Sequence, residues 1–563
     1  MKFSNWDIGS FDRKAAIGFV NYGINPLVSV LLSSRGITDL DDVLNATGFK
    51  PALLHDPFLM ADMSKAVTRI RNAVRQEERI AIYGDYDVDG MTASAILAMW
   101  LDSKNAEFEI YIPGRFDEGY GLNTTALDAL KANGVKLVIT VDCGVTAIDE
   151  TKYAKDIGLD LVITDHHECK DELPHACAVV DPKRPDCNYP YRSLAGVGVV
   201  FKLICALEGD YTSDKIINLY SEFVAIGTVA DVMPVVGENR ELIRRGLNVL
   251  NTNPRPCLRS LLREIGVESD KVTASTIGFS IAPRLNAAGR MGQTDLSVEL
   301  LLSESTEESD RLATLLCKLN TERRNLELEI YNEAIAMLPE APPNEPVILA
   351  KHGWYQGVTG IIAAKIAEKY HLPTIIISIG EDGIGRGSCR SFGSFAIYDA
   401  LRSCEDILEN YGGHERAAGV TVSEENIDEF RKRMNNYYRT CIEASSETYL
   451  KLDFEVEKPA LLTIENIEAL ASLEPFGSGN PSPCLYIRGA VVSSAQSIGS
   501  GKHSKLRIEK SGKTLECIFF SASTGELGIS EGMLVDVAFE PQVNEFRGRN
   551  NVQLQLLDIR LSI

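Results

Sequence analysis

The sequence lacks long apolar runs. No stretch approaches the roughly 20 consecutive apolar residues that a helix needs to cross a bilayer. The first residues, MKFSNWDIGSFDRK, carry charges where a signal peptide has its apolar core. We therefore expect a cytoplasmic protein with no membrane attachment.

Basic charge is also scarce. The chain has 57 lysines and arginines against 79 acidic residues, a formal net charge of −22. This balance argues against a broad basic surface of the kind that coats nucleic acid. It is still compatible with an enzyme that acts on nucleic acid, because the charge lining a groove matters more than the sum.

Closely spaced cysteine pairs are missing. None of the twelve cysteines belongs to a Cys-x-x-Cys pair, and disulfide scaffolds are typical of small secreted chains, so we expect reduced thiols. A zinc site is an alternative in one region, although the spacing there matches no tight zinc knuckle. The residues concerned are Cys169, Cys177, Cys187, His166, His167 and His175.

The chain is long enough for several domains. Its 563 residues predict three or four domains at about 150 residues each. From Arg79 to about Pro234, short β-branched runs alternate with helical stretches, which predicts parallel βαβ units. The predicted strands are 79–83, 137–141, 161–164 and 178–180.

The second half of the chain changes character twice. Residues 293–338 contain no Gly or Pro and predict one or two long helices that act as a spacer. A second α/β unit follows, with strands at 347–351 and 374–379 around a helix at 357–370. After about Thr448, five strand-like runs separated by turn residues predict a small β-barrel.

These patterns predict an α/β protein with two α/β domains, a helical spacer and a C-terminal β-barrel. The predicted limits are an N-terminal helical segment (1–50), a first α/β domain (51–240), a helical connector (241–345), a second α/β domain (346–447) and the β-barrel (448–563).

An acidic motif follows the first predicted strand. In IAIYGDYDVDGMTAS, Asp85, Asp87 and Asp89 lie between the end of a strand and the start of a helix, where parallel sheets place functional groups. Three acids this close repel one another unless a cation lies among them. A solvated acidic turn is the alternative, whereas a calcium loop of the EF-hand type is excluded because its twelfth position is Ile96.

Further acidic and histidine residues follow other predicted elements. Asp142 follows a second strand, His166 and His167 follow a third, and Asp231 lies at a helix end or turn. Mixed carboxylate and imidazole ligands suit manganese or magnesium. The arrangement predicts two ions about 3.5–4 Å apart, as in phosphoester hydrolysis.

In this order and spacing, the motifs DYDVDG, VDCG, TDHHE and GTVAD resemble those of the DHH phosphoesterase superfamily. The later motifs narrow the resemblance to the RecJ family, over roughly residues 50–563: LAGVGVVFKL, APRLNAAGRM, GWYQGVTGIIAAK, GSCRSF, YGGHERAAG and LEPFGSGNPSP. The resemblance implies DHH, DHHA1 and OB-fold domains and a single-stranded-DNA exonuclease that degrades from the 5′ end. It also implies two Mn²⁺ or Mg²⁺ ions.

The resemblance assigns roles to particular residues. The implied metal ligands are Asp87, Asp89, Asp142, His166 and Asp231. Asp85 and His167 would lie in or beside the ligand shell, and His167 is also a candidate for contact with the scissile phosphate. Alternatively, His167 is a hydrogen-bonded residue that supports the metal ligands without contacting the ions or the phosphate.

The resemblance also suggests residues that grip the DNA. Backbone at glycines can approach a phosphate closely, and Arg binds phosphate with two donors. Ordinary turn or salt-bridge roles are the alternatives. The candidates are Arg115, Arg284, Arg290, Ser388, Arg390, Gly412, Gly413 and His414 in the α/β domains and connector, and Lys502, Lys505, Phe546 and Arg547 in the barrel.

The leading hypothesis is a 5′→3′ exonuclease that releases 5′-mononucleotides from single-stranded DNA in recombination and repair. One alternative is a DHH–DHHA1 phosphodiesterase acting on short RNA or cyclic dinucleotides. Another is a non-catalytic DNA-binding subunit on the same fold. We expect a monomer, with a single-strand-binding protein and a helicase as candidate partners.

Overall fold

The computed structural model describes residues 3, 5–51, 53–114, 121–268, 271–339, 341, 343–441, 449–499, 501–520, 522–546 and 549–562. The chain begins with one short strand and three helices: β1 (Asn5–Ile8), α1 (Arg13–Asn21), α2 (Pro26–Ser34) and α3 (Leu40–Ala46). Helices α1 to α3 agree with the predicted helical segment, and β1 is an addition to it.

The first α/β domain is built on a sheet of five parallel strands. Its elements are α4 (Met63–Arg75), β2 (Ile80–Tyr83), α5 (Val88–Ser103), β3 (Phe108–Tyr111), α6 (Thr124–Ala132), β4 (Leu137–Val141), α7 (Ile148–Asp156), β5 (Asp160–Thr164), β6 (Ala178–Val180), α8 (Gly196–Glu208), α9 (Asp214–Ala230) and α10 (Gly237–Thr252). The strand order is β3-β2-β4-β5-β6. The parallel sheet is confirmed, and β3 is a strand that the periodicity did not predict.

Side chains alternate between the two faces of this sheet. Ile80 and Ile82 pack with α4, α5 and α8, whereas Ala81 and Tyr83 pack with α6 and α7. Helices therefore cover both faces, as the continuous apolar strands require. The carboxyl ends of the strands stay open at one edge of the sheet.

A helical connector follows. It comprises α11 (Pro256–Glu264), α12 (Ala274–Thr276), a π-helical turn (Ile277–Ile281), α13 (Ala282–Arg290), α14 (Asp295–Leu302) and α15 (Thr306–Ala336). The stretch without Gly or Pro forms α14 and α15, which confirms the helical spacer. Helix α15 has 31 residues and is roughly 46 Å long at 1.5 Å per residue.

The second α/β domain has a mixed five-stranded sheet. Its elements are β7 (Val347–His352), α16 (Gln356–Tyr370), β8 (Thr374–Ile379), β9 (Ile384–Arg390), α17 (Ile397–Arg402), β10 (Asn410–Gly413), β11 (Ala417–Ser423) and α18 (Ile427–Cys441). Strands β7 and β8 are parallel, and the order β10-β11-β9-β8-β7 adds three antiparallel strands.

The C-terminal domain is a closed barrel of five strands. Its elements are β12 (Tyr449–Leu452), β13 (Phe454–Glu455), α19 (Ile464–Glu468), β14 (Leu485–Ile498), β15 (His503–Lys510), β16 (Lys513–Phe519), α20 (Thr524–Leu527), β17 (Leu534–Phe546) and β18 (Arg549–Leu561). The order β14-β15-β16-β18-β17 closes through pairing of β17 with β14. The predicted barrel is thereby confirmed.

The N-terminal segment packs on this barrel. Strand β1 pairs in parallel with β12, and buried residues of α1 and α2, including Phe19 and Leu27, share one core with the barrel. The Arg35 guanidinium bonds the Asp453 carboxylate with N–O distances of 2.9 and 3.2 Å. The two ends of the chain therefore form one packed unit.

Candidate active site

Four chain segments bring acidic and histidine side chains to the open edge of the first sheet. Asp85 follows β2, Asp142 follows β4 and His166 follows β5. Asp231 lies at the C-terminal end of α9, which packs beside α5. Because neighbouring parallel strands end at the same edge, residues far apart in sequence meet there.

His166 lies at the centre of the cluster. Its Nε2 atom is 3.0 Å from Oδ1 of Asp142, 3.6 Å from Oδ2 of Asp231 and 3.9 Å from Oδ2 of Asp89. Asp89, Asp142 and His166 are buried, while Asp231 is partly exposed. One ring nitrogen thus faces three carboxylates.

Helix termini orient two of these carboxylates. Oδ1 of Asp87 caps α5 by accepting hydrogen bonds from the N–H groups of Asp89 (2.9 Å) and Gly90 (3.1 Å). The carboxylate of Asp89 accepts from the N–H groups of Gly196 (2.6 Å) and Val197 (2.9 Å), at the start of α8. The positive end of the α8 dipole therefore holds Asp89 in place.

Burial and crowding shift the pKa values of the cluster. Burial, and then the neighbouring carboxylates, raise the pKa values of Asp89 and Asp142 well above their usual range. The same causes raise the pKa of Asp231 to about 7. Burial and the adjacent His167 lower the pKa of His166 to about 3, which keeps its imidazole neutral.

His167 has the opposite protonation behaviour. Burial opposes its charged form, but a hydrogen bond between its Nδ1 and Oδ1 of Asp165 (2.7 Å) raises its pKa to about 9. The Asp165 carboxylate also accepts from the N–H groups of Val145 and His166, at 2.8 and 2.7 Å. Asp165 therefore organises two loops of the site, a role that the sequence pattern did not assign to it.

Two glycines allow the helices to approach the acids. A Cβ atom on Gly196 would lie 2.5 Å from Oδ1 of Asp142, and one on Gly227 would lie 2.8 Å from Oδ1 of Asp89. These distances are too short for any side chain. Neither glycine was among the predicted site residues, although their motifs, LAGVGVV and GTVAD, are part of the family pattern.

Two residues of the site adopt left-handed backbone conformations. Asp142 has φ of 62°, and Val232, directly after Asp231, has φ of 56°. Asp tolerates this region, but a β-branched residue rarely occupies it. Such strain is typical of functional sites, where the surrounding structure enforces it.

The donor atoms fit divalent cations. Asp89, His166 and Asp231 form one group whose donor atoms all lie within 4.8 Å of one another, and Asp85, Asp87 and Asp142 form a second. A third group overlaps both and comprises Asp142, His166 and His167. Carboxylate oxygens with one or two imidazoles suit Mn²⁺ or Mg²⁺.

The alternative zinc site gains no support from the structure. Among the described residues, no group with metal-binding geometry contains a cysteine. All twelve cysteines are free thiols, which agrees with the expectation of reduced cysteines.

Three of the predicted DNA-binding residues meet around the start of α16. Oγ of Ser388 lies 3.0 Å from Oγ1 of Thr359 in the first turn of the helix. Arg390 lies so close to Gly360 that a Cβ there would be 3.2 Å from Nη2 of the arginine. From the connector, Arg290 donates from Nη1 to the Gly357 carbonyl at 3.2 Å.

Two of the other candidates, Gly412 and Gly413, belong to the same sheet as Ser388, because β10 pairs with β11 and β11 pairs with β9. Gly412 and Gly413 are exposed at the end of β10, and the His414 N–H donates to the Ala417 carbonyl at 2.8 Å in the hairpin that follows. Arg284 donates from Nη1 to the Ser280 carbonyl at 2.7 Å. Arg115 lies outside the described residues.

Two of the barrel candidates belong to the β14–β15 hairpin, and a third ends β17. Lys502 is exposed in the first hairpin turn, and Nζ of Lys505 lies 3.4 Å from Oε2 of Glu516. Phe546 is the last residue of β17, and its side chain is outside the described part, as is all of Arg547.

Family models match three parts of the chain. The model of the DHH family N-terminal domain matches residues 79–228, that of the DHHA1 domain matches 344–440, and that of the RecJ OB domain matches 452–558. The fold and the acidic cluster therefore define a DHH-family protein that carries a DHHA1 and an OB domain.

Full-length relatives narrow this class. Single-stranded-DNA-specific exonuclease RecJ of Bacillus subtilis (strain 168) is 39% identical over 96% of this chain and 68% of its own length. RecJ of Dickeya dadantii (strain 3937) is 34% identical over 94% of this chain and 95% of its own length. RecJ of Escherichia coli (strain K12) is 32% identical over 94% of this chain and 95% of its own length. The chain belongs to the RecJ family.

Solved structures agree with this assignment. The crystal structure of RecJ in complex with Mn²⁺ from Thermus thermophilus has a TM-score of 0.84 at 28% identity, covering 99% of this chain and 79% of that one. A structure of exonuclease RecJ bound to manganese has a TM-score of 0.60 at 32% identity, covering 69% and 96%. In the described part of the chain, no helix has the length and apolar character needed to span a bilayer.

Proposed function

We propose that this chain is a metal-dependent exonuclease that degrades single-stranded DNA from the 5′ end and releases 5′-mononucleotides, in DNA recombination and repair. The observation that carries the proposal is the cluster of carboxylates and imidazoles at the open edge of the DHH sheet. Membership of a family named for single-stranded-DNA-specific exonucleases supports it.

Two ions of Mn²⁺ or Mg²⁺ would occupy this cluster. Asp89, His166 and Asp231 would hold one ion, and Asp87 and Asp142, with Asp85 in or beside the shell, would hold the other. When bound, the ions would stabilise negative charge on the attacking and leaving oxygens of the phosphodiester. The two positive ions would also offset the crowding that raises the carboxyl pKa values.

His167 would contact the scissile phosphate from beside the cluster. Asp165 accepts a hydrogen bond from its Nδ1 atom and sets the ring orientation, and without metal this contact raises the pKa of His167 to about 9. A protonated ring would stabilise the negative charge that develops during hydrolysis.

The second α/β domain would hold the DNA backbone. Ser388, Arg390 and Arg290 offer hydroxyl and guanidinium donors around the start of α16. Arginine binds phosphate with two parallel hydrogen bonds. The further candidates for contact with the DNA are Arg115, Arg284, Gly412, Gly413, His414, Lys502, Lys505, Phe546 and Arg547.

The OB barrel would extend the binding track for a long DNA strand, since OB folds bind single strands through charged grooves and aromatic platforms. We further propose a cytoplasmic monomer that receives its substrate from a helicase and a single-strand-binding protein. A monomer is proposed because a single chain supplies the cluster and both proposed DNA-binding surfaces.

Degradation of end-labelled DNA tests the proposal. A long single-stranded DNA labelled at either end is incubated with Mn²⁺ or with EDTA, beside duplex DNA and a short RNA. Early release of the 5′ label from the single strand, lost in EDTA, is the expected result. Preference for the short RNA would instead indicate an oligonucleotide phosphodiesterase, and binding without hydrolysis would indicate a non-catalytic subunit.

A further inference from the structure

Phe279 is an aromatic side chain left in solvent. It is 83% exposed, whereas Ile277 and Ile281 on either side of it are fully buried. All three belong to the π-helical turn Ile277–Ile281 that precedes α13. Single π-helical turns inside α-helices occur frequently at functional sites, because the extra residue redirects a side chain.

The helix that carries Phe279 borders the metal cluster at both ends. At its beginning, a Cβ on Gly278 would lie 3.8 Å from Cγ1 of Val229, two residues before Asp231. At its end, a Cβ on Gly289 would lie 2.9 Å from the carbonyl oxygen of Tyr86, between Asp85 and Asp87. The π-turn and α13 therefore lie against the segments that carry Asp85, Asp87 and Asp231.

A second exposed apolar residue lies just beyond the C-terminal end of α9. Val232 is 71% exposed and is held in the left-handed region, with φ of 56°. A β-branched residue in this conformation is strained. Val232 is thus an exposed apolar side chain next to a predicted metal ligand, and Phe279 is an exposed one on the π-turn that lies against the same segment, although burying both would be favourable.

We propose that Phe279, supported by Val232, is a stacking platform for a nucleobase of the DNA strand entering the active site. The inference rests on the function proposed above, which brings a single strand to the metal cluster. Aromatic side chains bind unpaired bases by stacking in a manner that tolerates any sequence. A base paired in a duplex has no free face for such a platform, so Phe279 would favour single strands.

Steady-state kinetics with full-length variants test the platform. Phe279→Ala should raise KM for a 20-nucleotide single strand roughly 5- to 150-fold, the range that loss of one stacked base produces, with a smaller effect on kcat. Phe279→Trp, which keeps an aromatic ring, should have a KM close to that of the wild type. Phe279→Leu, which keeps apolar bulk without a ring, should behave like Phe279→Ala, and Phe49→Ala is the control because Phe49 is similarly exposed (74%) after α3.

Fluorescence of 2-aminopurine gives a readout that does not require hydrolysis. Strands with this base at each of the first six positions are bound in EDTA, and the full-length protein should quench one or two positions. Phe279→Ala should remove that quenching. If the unaltered protein quenches these positions but degrades no DNA, the proposed activity fails while the platform stands.

Three results would overturn the platform. An unchanged KM and unchanged quenching in Phe279→Ala would show that no base stacks there. Wild-type KM in Phe279→Leu would show that the ring plays no part. A shift in elution volume with Phe279→Ala, without a change in KM, would show instead that Phe279 contacts another protein chain.

Discussion

Burial and mutual repulsion oppose ionisation of Asp89, Asp142 and Asp231 when no cation lies among them. Oδ1 of Asp142 is 3.0 Å from Nε2 of His166, and the surrounding acids raise the pKa of Asp142 after burial has already done so. The folded protein therefore stores electrostatic repulsion that a divalent cation would relieve. This repulsion links metal binding, proton binding and stability.

Replacing Asp142 by Asn should separate function from folding. Asn tolerates the left-handed backbone found at this position, so the loop is kept while a ligand charge is lost. We expect nuclease activity with Mn²⁺ to fall by more than about 100-fold, beyond the loss typical of a residue that only supports a ligand. In EDTA at pH 8 the variant should melt at the same temperature as the wild type or higher, because a carboxyl whose pKa is raised on folding destabilises the fold at pH values above its unfolded pKa.

Activity and thermal melting check this prediction together. Retained hydrolysis of single-stranded DNA by Asp142→Asn would contradict its role as a ligand. A lower melting temperature in EDTA would show that the carboxylate stabilises the fold, in opposition to its raised pKa.

Mn²⁺ binding should release protons in a pH-dependent way. The pKa of Asp231 is about 7 without metal, because of burial and the charge of Asp87, so this carboxyl is mostly protonated at pH 6 and ionised at pH 8.5. Only the ionised form binds metal, so affinity should rise with pH through 7. His166, with a pKa of about 3, is already neutral and contributes no proton.

Calorimetry in two buffers of different ionisation enthalpy measures the released protons. Release should be larger at pH 6 than at pH 8.5, because Asp231 loses its proton between these pH values, and protons held by Asp89 and Asp142, whose pKa values are also raised, add to the release. Glu222→Gln is a matched control, because burial also raises the pKa of Glu222 to about 7 but its partner is Arg255, outside the cluster. Equal release at both pH values would contradict the raised pKa of Asp231.

At the scale of the element, the start of α8 is fitted closely to the acids. Its first N–H groups bind Asp89, and its first residue, Gly196, leaves no room for a side chain beside Asp142. The position of helix α8 therefore fixes the positions of the carboxylates of Asp89 and Asp142. A change in the helix should appear as a change in metal binding.

Gly196→Ala tests this fit. Its Cβ would lie 2.5 Å from Oδ1 of Asp142, so Asp142 or the helix must move, and we expect at least about a 10-fold loss in Mn²⁺ affinity and activity, as for disturbed support of a ligand. Gly198→Ala, two residues further on, meets nothing nearer than 3.4 Å and should keep activity. Similar activity in the two variants would contradict the fit.

At the scale of the whole molecule, the two ends of the chain depend on each other. Nε1 of Trp6 donates to Oδ2 of Asp558 at 2.9 Å, across 552 residues of sequence, and the Arg560 guanidinium lies 4.0 Å from the centre of the Trp6 ring. We propose that residues 1–50 and 448–563 together form the outer DNA-binding unit, and that the limits 51–240, 241–345 and 346–447 hold for the rest.

A fragment that lacks only one of the two ends should therefore aggregate. Removing residues 448–563 would expose the apolar residues of α1 and α2 that share the barrel core, such as Phe19 and Leu27, and exposed apolar patches promote aggregation. Removing both 1–50 and 448–563 should give a soluble core that cleaves short strands but binds long ones weakly. Size-exclusion chromatography and activity on short and long strands check both fragments.

If the fragment that lacks only 448–563 were as soluble as the doubly truncated core, the proposed dependence of the N-terminal segment on the barrel would be contradicted. Equal loss of activity on short and long strands by the doubly truncated core would show that the barrel supports the catalytic domain and does not act mainly in DNA binding.

Local patterns in the sequence were enough to predict the parallel sheet, the helical spacer and the barrel, and they singled out acidic and histidine residues as candidates, whereas the ligand set came from the family resemblance. A buried parallel strand is a short β-branched run, and the residue after it lies at the functional edge of the sheet. LVITV, followed by Asp142, is such a case, and β4 covers the same five residues. Gly-rich β9, with the sequence IGRGSCR, gave no such pattern and was missed.

The sequence by itself determined that Asp85, Asp142 and His166 lie at one edge of the sheet, because chain direction and periodicity place them directly after parallel strands. Only the tertiary structure decided the pairing of β1 with β12, the fit of Gly196 against Asp142 and the exposure of Phe279. Each of these depends on contacts between residues distant in sequence or on a single extra residue in a helical turn. Local periodicity carries no information about either, because it reports only how neighbouring side chains divide between core and solvent.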